Sequence, residues 1–194
     1  MKNAIILQGA GETQESFWLP YTKKELEKRG YKVWLPQLPG IDNPKLKEVL
    51  PFILKNGEFN QETVMIGHSA GVPFIFSVLE NIDVKIKLAI MVAGLYEPST
   101  NDPKITKWQK DFLQESYDWK KIKAHCQEFV FINAANDPWG CNDKQGKMMS
   151  DKLGGTLIIN EEGHMGSDLF KQPYKEFPLL ISLVEDSLRC PDKK

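Results

Sequence analysis

The chain has 194 residues, 41% hydrophobic and 26% charged, which is enough for one domain with a substantial core. Its 25 basic and 26 acidic side chains leave a net charge of −1, so nothing in the charge balance suggests a nucleic-acid surface or a charged arm, and Lys193-Lys194 is too short to be one. Three cysteines, Cys126, Cys141 and Cys190, form no zinc, redox or disulfide pattern and read as reduced thiols of a cytoplasmic protein.

Asn3 to Gln8 is a continuous apolar run, too short for a signal-peptide core or a membrane span, and reads as a buried strand. It enters the bare loop Gly9-Ala10-Gly11. Thr13 to Arg29 places Phe17, Tyr21 and Leu26 among charges and stops at Gly30, the pattern of an amphipathic helix. Tyr31 to Pro36 is a second strand. After the loop Pro39 to Pro44, Lys45 to Leu54 reads as a helix, with Asn43 a candidate cap.

Thr63 to His68 is the third strand, and an apolar helix runs from Ala70 to about Asn81. Between them stands Gly67-His68-Ser69-Ala70-Gly71. A Gly-x-Ser-x-Gly run between strand and helix is the nucleophile elbow. The turn is so tight that strand and helix nearly touch, so the flanking positions must be small. The serine hydroxyl is pushed above the sheet edge, at a helix N-terminus whose free N–H groups favour negative charge.

Lys87 to Val92 is the fourth strand. Residues 95 to 125 break the alternation, with prolines and the aromatics Trp108, Phe112, Tyr117 and Trp119, and form a candidate lid or an ordinary aromatic-packed connection. Glu128 to Ala134 is the fifth strand and delivers Asn136-Asp137-Pro138 into a loop. Asn142 to Leu153 is a helix, Thr156 to Asn160 the sixth strand, and Tyr174 to Leu188 a closing amphipathic helix. No repeat, low-complexity segment or interdomain linker interrupts the pattern, so residues 1–194 read as a single α/β domain. The expected fold is a six-stranded, mostly parallel sheet with helices on both faces.

Ser69, Asp137 and His164 each fall just past a strand's carboxyl end, where such sheets place their chemistry. Their chain order is Ser, Asp, His, as in α/β-hydrolases. Ser69 needs a base to become nucleophilic. His164 can take and return the proton, and Asp137 can orient the imidazole. Ala70 supplies one oxyanion N–H, and Ala10 or Gly11 the second. His68 points away from the hydroxyl by strand alternation. His125 precedes a strand on the far side. Leu95, Trp139 and Met165 are candidate pocket residues. No metal or cofactor is expected.

Four segments carry a resemblance: Gly67-His68-Ser69-Ala70-Gly71, Trp119-Lys120-Lys121-Ile122, Asn136-Asp137-Pro138-Trp139 and Gly163-His164-Met165. Over nearly its full length the chain resembles the small α/β-hydrolases that include YdeN and retinoblastoma-binding protein nine. That resemblance implies a compact serine hydrolase with its triad at Ser69, Asp137 and His164. The loop Gln8 to Thr13 departs from the family pattern by carrying fewer glycines. Trp139-Gly140-Cys141 stands where a second proline is common. Ala124 to Glu128 lacks the leucine of a Leu-x-Cys-x-Glu segment, so that protein partner is not carried over.

The expected function is hydrolysis of a small carboxylic ester, or an amide, through an acyl-Ser69 intermediate. A non-catalytic interaction module on the same scaffold is the alternative. Dinucleotide binding fits poorly: Gln14 stands where a third glycine belongs, and no acid follows the second strand.

Overall fold

The computed structural model describes residues 1–189, so Cys190 and Lys193-Lys194 lie outside the described residues. Its centre is one six-stranded sheet of order β2-β1-β3-β4-β5-β6. The strands are β1 (Asn3–Leu7), β2 (Lys32–Trp34), β3 (Thr63–His68), β4 (Ile86–Val92), β5 (Cys126–Ala134) and β6 (Thr156–Asn160). All five pairings are parallel, so every strand ends on the same side of the molecule. β1 and β3 are buried along their whole length, because helices cover both faces of a parallel sheet. β6, at the edge, is half exposed.

The helices are α1 (Leu19–Lys28), α2 (Leu46–Asn56), α3 (Gly71–Leu79), α4 (Pro103–Lys110), α5 (Trp119–Ala124), α6 (Asp143–Leu153) and α7 (Pro178–Arg189). α3 is buried at every position. A helix apolar on all sides has no solvent face to offer, and this one is wedged between the sheet and its neighbours. No helix among the described residues is long and apolar enough to cross a membrane.

β2 ends at Trp34 rather than Pro36 and β5 begins at Cys126 rather than Glu128, and two helix starts and one cap also differ from the expectation. α1 begins at Leu19, not Thr13. The Ser16 hydroxyl accepts from the Thr13 N–H at 2.9 Å, Phe17 has φ 49°, and Pro20 stands in the helix's first turn. Those local bonds compete with helix formation, and proline tolerates only the first turn. Ser16 and Phe17 of this stretch line the site instead. α7 begins at Pro178 rather than Tyr174, because the residue before a proline is pushed out of the helical region. α2 is entered through Lys45 with no side-chain cap, so Asn43 does not cap it.

The segment from 95 to 125 divides in two. Its second part is scaffold: Trp119 and Tyr117 pack edge-on against Phe76 of α3, with ring centroids 5.5 Å away in each case. Its first part, with α4, turns Trp108 and Phe112 toward the carboxyl ends of the strands.

Candidate active site

Ser69 is held at the tip of the β3–α3 turn with φ 51°, a left-handed conformation unusual for a residue with a side chain. Holding it costs about 1–3 kcal/mol, which the surrounding structure must supply. Its N–H donates to the Val92 carbonyl at 2.9 Å, which pins the turn to the end of β4. The closeness of the turn is explicit at Gly71: a Cβ there would lie 2.2 Å from the Leu7 carbonyl oxygen. Only glycine lets α3 start directly against β1.

Asp137 and His164 meet past the ends of β5 and β6. The His164 Nδ1–H donates to Asp137 Oδ2 at 2.8 Å, and Asp137 Oδ1 accepts from the Trp139 N–H at 2.8 Å. Both residues are buried. This leaves His164 Nε2 as the nitrogen able to accept a proton. Burial lowers the His164 pKa below 6.5, the Asp137 hydrogen bond raises it, and the charge of His68 pushes it down further; the net direction is down. The neutral form of the imidazole is thereby favoured.

The His164 loop is clamped by side chains. Asn136 accepts from the Gly163 N–H at 2.9 Å and donates to the Glu161 carbonyl at 2.8 Å. Gln172 accepts from the His164 N–H at 2.9 Å, and Trp18 Nε1 donates to the Met165 carbonyl at 2.8 Å. Below the loop, His68 contacts the His164 carbonyl at 2.9 Å.

Ser69 and His164 open onto one cavity of about 290 Å³. Leu95 and Trp139 line it, together with Phe17, Trp108, Phe112 and Leu169. Its charged lining consists of Glu12, Asp42 and Asp168, all acidic. Met165 is not part of it; the residue is fully buried, and its sulfur accepts from the Asn160 side-chain amide at 3.4 Å. No hydrogen bond joins the Ser69 hydroxyl to His164 among the described residues.

Of the loop N–H groups, that of Gly11 is engaged by the Ile41 carbonyl at 2.8 Å and is not free to bind an oxyanion. Those of Ala10 and Ala70 make no hydrogen bond among the described residues, and Ala10 lines the cavity. Cys141 is buried beside Asp137, and one donor atom each from Asp137, Cys141 and His164 lie within 4.8 Å of one another. Burial first, then the Asp137 charge, raise the Cys141 thiol well above its usual pKa. Both Asp137 oxygens and His164 Nδ1 are already hydrogen-bonded, so a cation here would have to break the Asp137–His164 contact.

This geometry can be set beside known proteins. Residues 4–185 match the family model described as serine hydrolase. The chain belongs to the serine hydrolase family. It is 23% identical over 185 residues to the serine hydrolase RBBP9 of Rattus norvegicus, covering 93% of this chain and 91% of the relative. It is 25% identical over 139 residues to YdeN of Bacillus subtilis strain 168, covering 70% and 71%. The crystal structure of the B. subtilis ydeN gene product superposes with a TM-score of 0.87 at 21% identity, covering 98% of this chain and 100% of that one. Est1E of Butyrivibrio proteoclasticus, solved with ferulic acid bound, has a TM-score of 0.71 at 13% identity, covering 97% and 88%. The fold is that of the α/β-hydrolases.

Proposed function

We propose that this hydrolase cleaves a small carboxylic ester, or an amide, through an acyl-Ser69 intermediate. The observation that carries the reading is the buried Asp137–His164 pair, 2.8 Å apart, opening onto the same cavity as a serine held at φ 51°. A scaffold that only bound partners would have no use for that strain or for a buried neutral imidazole.

In the proposed cycle, Ser69 Oγ turns to His164 Nε2, which takes its proton as the oxygen attacks the substrate carbonyl. Asp137 keeps the ring in the tautomer that leaves Nε2 free and stabilises the imidazolium. The N–H groups of Ala70 and Ala10 receive the oxyanion, with the positive end of α3 behind Ala70. His164 then returns the proton to the leaving group, and water repeats the sequence to release the acid.

The lining supports an apolar acyl group. Phe17, Leu95, Trp108, Phe112 and Trp139 provide the apolar contact. With Asp42 and Asp168 exposed on the wall and no lysine or arginine there, a substrate bearing its own carboxylate is disfavoured. The segment carrying Trp108 and Phe112 is the proposed lid. The test is stoichiometric labelling of Ser69 by a fluorophosphonate, read by mass spectrometry, with Ser69→Ala as control. Folded wild-type protein that takes no label defeats the reading.

A further inference from the structure

A second carboxylate–imidazole pair lies under the site, and the triad does not use it. His68 is fully buried at the end of β3, one residue before Ser69. Its Nδ1 is 2.6 Å from Glu12 Oε1, and its Nε2 is 2.9 Å from the His164 carbonyl oxygen. The other Glu12 oxygen accepts from the Gly9 N–H at 2.8 Å. The indole of Trp18 stands edge-on to the His68 ring at 5.5 Å and bonds the next carbonyl of the base loop, that of Met165.

Each nitrogen of His68 faces an oxygen acceptor. A neutral imidazole has one N–H and could satisfy only one of them; an imidazolium satisfies both. A buried cation is tolerable only when it is paired and hydrogen-bonded, and Glu12 provides the pairing. Gly9 belongs to the same arrangement. A Cβ on it would lie 2.7 Å from Glu12 Oε1 and 3.1 Å from the Ser69 Cβ, so a side chain at this position would displace the carboxylate.

We propose that Glu12 and charged His68 form a buried strut that positions the catalytic base, tying the loop after β1 to the main chain of His164. The strut makes no contact with the reacting atoms. It fixes the base loop and the loop bearing the Ala10 N–H relative to each other, so that imidazole and oxyanion hole keep one register around Ser69. A misplacement of about 1 Å in such a constellation costs on the order of 100-fold in rate, which is why a positioning pair would be worth its burial. The inference rests on the acyl-Ser69 reading.

Two substitutions separate the strut's two bonds. In His68→Asn the amide nitrogen takes the place of Nδ1, so the Glu12 bond survives and the His164 carbonyl loses its donor. His68→Gln places its amide nitrogen near Nε2 and retains that donor. Glu12→Gln removes the charge while keeping an acceptor for Gly9. The measurements are the fluorophosphonate labelling rate of Ser69, kcat and KM on an apolar ester, and ring-nitrogen NMR of the three histidines in the intact chain.

At neutral pH the wild-type spectrum should show His68 protonated on both nitrogens and His164 on one. His68→Asn, His68→Gln and Glu12→Gln each break or discharge one end of the strut, and each should slow labelling and kcat about 10- to 100-fold with KM changed less than about 3-fold. The acid limb of the kcat/KM profile should also move in Glu12→Gln. The charged groups facing His164 are Asp137, His68 and Glu12, with the Cys141 thiol alongside, and Glu12→Gln changes two of them at once.

A neutral His68 in the wild type overturns the strut. So do folded variants that label at the wild-type rate, or a His68→Gln variant that keeps the wild-type kcat without the Glu12 bond. A wild-type chain that takes no label overturns the hydrolase reading, and the inference with it; a labelled wild type with unaffected variants overturns the inference alone.

Discussion

Two imidazoles lie with ring centroids 5.0 Å apart beneath one cavity, each against a carboxylate, and they are driven in opposite directions. His164 opens onto the cavity and has one acceptor, Asp137, on its ring. His68 lies wholly inside and has two, Glu12 and the His164 carbonyl. Burial disfavours the charged form of both. For His68, Glu12 and the carbonyl outweigh burial, and the pKa rises; for His164, burial together with the charge of His68 prevails, and the pKa falls. A carboxylate beside an imidazole therefore does not by itself make a base. The number of acceptors on the ring decides whether it holds its proton or is free to take one.

The sharpest way to break this comparison is to remove the side chains proposed to do chemistry. Ser69→Ala should abolish acyl-enzyme formation. Asp137→Asn should lower kcat by about 10,000-fold, because an amide can hold His164 in the wrong tautomer while preserving its place. The equivalent change in the second pair, Glu12→Gln, should cost about 100-fold at most. Steady-state kinetics on one ester compares them directly. Equal losses in the two amide variants would mean that base and strut are not distinct roles.

Most of the first pair was legible in the sequence, and almost none of the second. The elbow announces itself because a tight strand-to-helix turn admits few residues at positions 67, 70 and 71. Asp137 and His164 are found by their places after strands five and six. Glu12 and His68 are 56 residues apart, in a loop and a strand, and strand alternation says only that His68 turns away from the hydroxyl. Nothing in the spacing says that it turns toward the underside of the base loop. The same limit hid Asn136 and Gln172, whose side chains clamp that loop across 27 and 8 residues. Helix periodicity likewise ran straight through Thr13–Trp18, where local hydroxyl bonds hold the chain out of a helix.

The opposite shifts give a pH signature of intermediate size. With the His164 pKa below 6.5, its neutral form persists as pH falls past the ordinary histidine value, so the acid limb of kcat/KM should lie below pH 6.5. Stability follows the same signs. The depressed His164 pKa contributes stability present above pH 6.5 and lost as pH falls through its folded value. The raised His68 pKa contributes stability fully present below pH 6.5 and lost as pH rises through its folded value. Thermal melts across pH should therefore fall away on both sides, and Glu12→Gln should flatten the alkaline side and displace the acid side as the His164 pKa moves. An acid limb above pH 6.5 would reverse the assignment of the two rings.

The smallest effects belong to the carboxylates with no imidazole partner. Asp42 and Asp168 line the cavity and are exposed, whereas Glu12 and Asp137 are buried. Exposed charges interact through water and are screened by salt, so each should alter binding by less than about 1 kcal/mol. Asp42→Asn with Asp168→Asn should therefore leave kcat on a neutral ester unchanged. It should lower KM for an ester whose acyl chain ends in a carboxylate by a few-fold, and that gain should vanish at about 1 M salt. A gain that persisted at high salt would place these two carboxylates in the same dry environment as Glu12 and Asp137, and the division between buried and exposed acids would no longer explain which of them carry an imidazole.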